Sequence, residues 1–119
     1  PLADLDFIIP IPLHKIKLRE REFNQASELG NFIAREFKKE ILNNVLLRER
    51  NTKTQTGLDN DSRLINVKGS FKINKEYRLK GKNILLIDDV LTTGATASEA
   101  AFTIKNSGAA AVFVLTLAN

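Results

Sequence analysis

The sequence predicts an α/β domain, a Rossmann-like parallel β-sheet flanked by helices. Three observations lead there. Two apolar runs, Asn83–Asp88 and Ala111–Leu117, bracket a helical pattern over Thr96–Ser107. Strand, helix and strand this close together form a βαβ unit, whose strands must pair in parallel. Both runs also lack the alternation of a half-exposed strand, so both of their faces are expected to be buried. Finally, 119 residues with 43% hydrophobic and 27% charged side chains suit one globular domain.

In chain order, Phe7–Ile11 is the first strand. Pro10 and Pro12 end or bend it, because proline has no N–H for a ladder. A basic segment, His14–Arg21, follows. Asn24 is placed to cap a helix with Ala26, Leu29, Ile33 and Phe37 on one face and Lys38 and Lys39 near its end. Val45–Leu47 reads as a short second strand. Arg48–Asp61 has Leu58 as its one large apolar residue, and it reads as a long functional loop. Asp59–Val67 reads as a short helix and Phe71–Ile73 as a strand. In the last helix Ala97, Ala100, Ala101 and Ile104 share one face, and Gly108 takes the C′ position.

Composition excludes several classes. There is no cysteine, so disulfides and thiolate metal sites are ruled out, and a single histidine, His14, speaks against zinc. No apolar run approaches the ~20 residues of a membrane span, and no signal-peptide layout is present. A cytoplasmic protein without membrane insertion is expected. The chain also has no methionine. Loss of an initiator before Pro1 and a piece of a longer protein are both open.

The formal charge is +4, but it is unevenly spread. Residues 15–82 carry 17 basic and 9 acidic side chains, a balance of +8, while the flanks carry Lys105 against five acids. The middle of the chain is thus suited to an anionic ligand.

Ligands of open α/β sheets bind outside the carboxyl ends of the strands. That position reads Asp88-Asp89-Val90-Leu91-Thr92-Thr93-Gly94-Ala95-Thr96. Two carboxylates side by side repel, by roughly 1 kcal/mol at 4 Å in water and more where water is excluded. Vicinal hydroxyls, as on a ribose, or a metal ion would relieve them. The threonine-rich loop enters a helix N-terminus, where N–H groups, hydroxyls and the helix dipole favour a monophosphate. The plainer alternative is that Asp89 with Thr92 or Thr93 only caps the helix. A Walker loop and a Gly-x-Gly-x-x-Gly turn are absent, and no aspartate follows Asp89 to complete a phosphoacceptor site.

Residues Ile84 to Thr96 closely resemble the phosphoribosyl pyrophosphate (PRPP) motif of type I phosphoribosyltransferases. The text around them resembles the ComF, competence-related, branch. It comprises Pro10-Ile11-Pro12-Leu13-His14, Arg21-Glu22-Phe23-Asn24-Gln25-Ala26, Arg48, Asn51 to Leu58, and Arg63 to Phe71. The resemblance spans about Phe7 to Leu117 and implies one phosphoribosyltransferase domain over 1–119. ComF proteins often begin with a cysteine-rich zinc module, which this cysteine-free chain is expected to lack.

The resemblance implies specific roles. Asp88 and Asp89 would hold the ribose hydroxyls. Thr92, Thr93, Gly94, Ala95 and Thr96 would wrap the 5-phosphate. Pro12, Leu13, His14 and Lys15 would meet the pyrophosphate. Lys53, Thr54, Gln55 and Thr56, supported by Arg63, would form a flap over the site, with Lys53 joining the acids in catalysis. The implied reaction belongs to nucleotide metabolism: Mg²⁺-dependent transfer of a phosphoribosyl group to or from a nitrogenous base. Magnesium would be held through PRPP, with Asp88 or Asp89 reaching it through water. Two alternatives stand beside it. One is a PRPP or nucleotide sensor without turnover. The other is a DNA-uptake accessory protein acting through a competence helicase or single-stranded DNA. Direct DNA binding is disfavoured because Phe32 and Phe37, two of the few aromatic residues in the basic region, are expected to be packed. A homodimer is left open.

Overall fold

The computed structural model describes residues 2–12, 25–48, 69–90 and 94–118. After a 3₁₀ turn at Leu2–Asp4 come β1 (Phe7–Pro10), α1 (Gln25–Phe37), β2 (Glu40–Ile41), β3 (Leu46–Arg48), β4 (Phe71–Ile73), β5 (Asn83–Val90), α2 (Ala95–Asn106) and β6 (Ala111–Ala118). Four strands form a parallel sheet in the order β2-β1-β5-β6, and β3 and β4 form a separate antiparallel ribbon. The parallel α/β architecture expected from the βαβ pattern is therefore present.

The period of two along β5 sorts the core. Ile84 and Leu86 point to one side, with Ile9, Ala97, Ala100, Ile104 and the ribbon residues Leu46 and Phe71. Leu85 and Ile87 point to the other, with Ile8 and the α1 residues Ala26, Ile33 and Ala34. The two helices thus cover opposite faces, and β1 and β5 are strands that both cores share. Gly30 lets α1 sit close to the sheet: a Cβ there would lie 2.7 Å from Cδ1 of Ile41.

Helix α1 ends at Lys38, a non-glycine residue with φ 54°, and the N–H of Lys39 closes the turn on the carbonyl of Ala34 at 2.9 Å. Gly108 has φ 103°, as its expected place after the C-cap Ser107 of α2 requires.

Four expectations need correction. Phe37 does not join the core, and neither does Phe32: both are about half exposed, because α1 covers β1, β2 and β5 with Ala26, Ile33 and Ala34 instead. β6 is not buried on both faces. It is the sheet edge, and Phe113, Val114 and Leu115 are exposed. The strand at Val45–Leu47 is shifted by one residue and pairs in the ribbon rather than in the sheet. The two-residue β2 was not foreseen, since Glu40–Ile41 is too short for any period to show. The capping role of Asn24 and the helix over 59–67 lie outside the described residues.

Candidate functional site: the carboxyl end of the central strands

β1 and β5 run together to the site. Phe7 to Pro10 pair with Ile84 to Ile87, and the N–H of Ile11 then donates to the carbonyl of Ile87 at 2.8 Å. This register brings Pro12 to the place where β5 delivers its acids. Asp88 lies opposite Thr116 of β6 and is one of two buried polar or charged residues among those described, at 7% exposure. It shares its side of the sheet with Ile84 and Leu86 through the same alternation, so it faces the α2 and ribbon layer. The backbone of Asp89 continues β5.

Gly94 opens α2. Its φ is 81°, a left-handed conformation that costs a side-chain-bearing residue energy. The alternative that Asp89 with Thr92 or Thr93 caps the helix lies outside the described residues. The N–H of Ser98 makes the first helical turn, to the carbonyl of Gly94 at 2.8 Å. Ala95 is buried and Thr96 half-buried behind it.

The ribbon adds a cation that sequence reading left without a role. Arg48 ends β3 directly across from Phe71. Its guanidinium carbon lies 5.2 Å from the Phe71 ring centroid, and Nη1 donates to the carbonyl of Pro12 at 3.1 Å. Burial lowers its pKa from the ordinary arginine value, and the charge of Asp88 opposes that shift. The cue was slight: one arginine directly after a two-leucine run, read as the first residue of the long loop Arg48–Asp61. A second unforeseen contact joins the layers, where the N–H of Gly69 donates to Oε2 of Glu99 on α2 at 3.1 Å.

Of the expected site residues, the structure brings together Pro12, Asp88, Gly94, Ala95 and Thr96 at one end of β1, β5 and α2. Leu13, His14, Lys15, Lys53, Thr54, Gln55, Thr56, Arg63, Thr92, Thr93 and the side chain of Asp89 lie outside what is described. Among the described residues, no helix is long and apolar enough to cross a membrane.

Known proteins match this arrangement. The family model for the phosphoribosyl transferase domain covers residues 24–119. Competence protein F of Haemophilus influenzae is 33% identical over 112 residues, 93% of this chain and 49% of the relative. The DNA utilization protein YhgH of Escherichia coli K12 is 34% identical over 109 residues, 92% of this chain and 47% of the relative. Competence protein ComFC of Bacillus subtilis is 36% identical over 104 residues, 87% and 40%. The chain thus spans about half the length of the curated relatives it matches. A solved glutamine PRPP amidotransferase from Bacillus subtilis has the same fold, with TM-score 0.59 and 18% identity over 94% of this chain and 22% of that one. With the motif on β5, the parallel sheet and these matches in agreement, the chain belongs to the type I phosphoribosyltransferase family, in its competence protein F-like branch.

Proposed function

We propose that this domain binds PRPP and transfers its 5-phosphoribosyl group to or from a nitrogenous base, with pyrophosphate as the other product. One observation carries the reading. The buried carboxylate of Asp88 lies near the end of the central strand, and six residues later the left-handed Gly94 opens α2. An acid for vicinal hydroxyls and a helix entrance for a phosphate are thereby held at one sheet end.

In this reading the C1–oxygen bond to the diphosphate breaks and a C1–nitrogen bond forms. Positive charge builds on the ribose, and Asp88 with Asp89 stabilises it from the hydroxyl side. The loop from Thr92 to Thr96 holds the 5-phosphate, so the sugar cannot drift as the leaving group departs. Pro12, Leu13, His14 and Lys15 meet the diphosphate, and the basic segment 48–63 with Lys53 excludes water. A Mg²⁺ ion carried by a diphosphate needs only one or two protein carboxylates, so the buried Asp88 fits it. When bound, such an ion neutralises charge on the leaving group. A cytoplasmic site of action follows from a phosphorylated nucleotide precursor as substrate.

The test is calorimetric titration with PRPP and Mg²⁺, followed by pyrophosphate release with a panel of bases. Binding that is lost in Asp88→Asn/Asp89→Asn supports the reading, and no binding by the native chain refutes it. Binding without release for any base would instead favour a sensor.

A second reading has its own support in the names of the relatives, two of which are competence proteins and one a DNA utilization protein. Here the domain serves DNA uptake through a helicase or single-stranded DNA. The exposure of Phe32 and Phe37 removes one objection to stacking. Salt-sensitive binding of single-stranded DNA without PRPP is its test.

A further inference from the structure

We propose that Arg48 is a positioning residue of the PRPP site, fixing the diphosphate turn at Pro12 relative to the ribose acid Asp88 and supplying a cation beside that acid. The inference rests on the PRPP reading and deepens it by naming a residue that neither the sequence motif nor the family match assigns to the site.

Three observations place Arg48 there. Its Nη1 donates to the Pro12 carbonyl at 3.1 Å, across 36 residues of sequence, so the end of the ribbon is tied to the turn that follows β1. Its guanidinium is stacked on Phe71, 5.2 Å from the centroid, which limits how far the fork can swing. The carboxylate of Asp88 acts on it electrostatically. One side chain thus touches the turn read as the diphosphate cradle and feels the acid read as the ribose anchor.

The fold alone does not explain an arginine at this point. A half-buried guanidinium loses hydration, and its buried Nε has no hydrogen-bond partner. Methionine would cover Phe71 as well, but it would leave the buried Asp88 without the cation that acts on it and the Pro12 carbonyl without its donor. A cation that feels the buried Asp88 has a use in the site itself. It offsets that carboxylate's charge while no ligand is bound. The planar fork also fixes direction, which a point charge on a flexible stem does less well.

The experiment compares the native domain with R48M and R48K by PRPP titration in Mg²⁺ and by thermal melting. R48M is expected to lower the melting temperature and to bind PRPP on the order of tenfold more weakly under conditions where it is fully folded. R48K is expected to lie between R48M and the native domain, since it restores charge without the fork. A merely structural arginine would lower the melting temperature and leave the affinity of the folded domain unchanged, and that result would overturn the proposal. R48K no better than R48M would overturn the role of the charge. Should R48M fail to fold, R48Q replaces it with the same expectations, because its amide can still donate to Pro12 without a charge. Failure of the native domain to bind PRPP would overturn the functional reading and this inference together. Native binding with an R48M affinity within about twofold of it would overturn the inference alone.

Discussion

Asp6 and Asn83 hold each other across 77 residues of sequence. The N–H of Asn83 donates to the Asp6 carboxylate at 2.8 Å, and the N–H of Asp6 donates to the Asn83 carbonyl at 2.8 Å. The amide of Asn83 also donates to the Asp4 carbonyl at 2.9 Å. This clasp sits at the start of β5, and Asp88 sits near its end. Stability and ligand binding can therefore be perturbed separately.

Asp6→Ala is expected to cost about 1 kcal/mol, because one exposed charge-assisted hydrogen bond is lost. Urea denaturation would measure it. PRPP affinity should stay at the native value, and a parallel loss of affinity would mean that the two ends of β5 are coupled.

Gly94→Ala places a Cβ on a residue with φ 81°. The strain is roughly 1–2 kcal/mol if the backbone holds, and the helix entrance shifts if it does not. Either response should weaken PRPP binding more than Asp6→Ala does. Equal affinities in the two variants would count against a phosphate contact at this loop.

Lys38 sits in the same left-handed region, with φ 54°. Glycine pays no steric cost there, so Lys38→Gly should stabilise the domain by about 0.5–1 kcal/mol. A rise in the urea midpoint with an unchanged slope is the expected signature. A fall would mean that Lys38 makes a contact which outweighs the strain.

β6 presents an edge of eight uncharged residues with Phe113, Val114 and Leu115 exposed. Long apolar edges invite pairing between chains, and charged side chains blunt them. Phe113→Lys should reduce concentration-dependent light scattering of the domain on warming, with little change in the melting temperature. Scattering that is unchanged would show that aggregation starts elsewhere.

How much of this was readable depended on the length of each signal. β5, α2 and β6 were legible because two apolar runs, a four-residue alanine and isoleucine face and a terminal glycine all agreed. β2 was not, since two residues carry no period. The burial of β6 was overestimated because an apolar run does not say whether a further layer lies outside it; here Phe113 and Leu115 pair with the covered Leu85 and Ile87 but lie past the reach of α1. Phe37 misled for a related reason. It has helical spacing from Ile33, yet it stands at the last turn, where the sheet surface ends. In the site, Asp88 and Gly94 could be read from local order alone. Arg48 could not, because its meaning depends on Phe71 and Pro12, which only the folded chain brings beside it.

Of the two strands that both cores share, β5 comes late in the chain. α1 packs on β5, and β1 pairs with β5 across most of the sequence. A ribosome makes the chain from its amino end, so β1 and α1 emerge well before the strand they need. Until residues 83–90 have left the exit tunnel they have only each other and β2 to pack against, and the β5 side of both cores is missing. The final βαβ unit, by contrast, is local and can form as soon as it is released. Folding of this domain should therefore be completed only once residues 83–118 have emerged, and the earlier half is the part that a chaperone would have to shield.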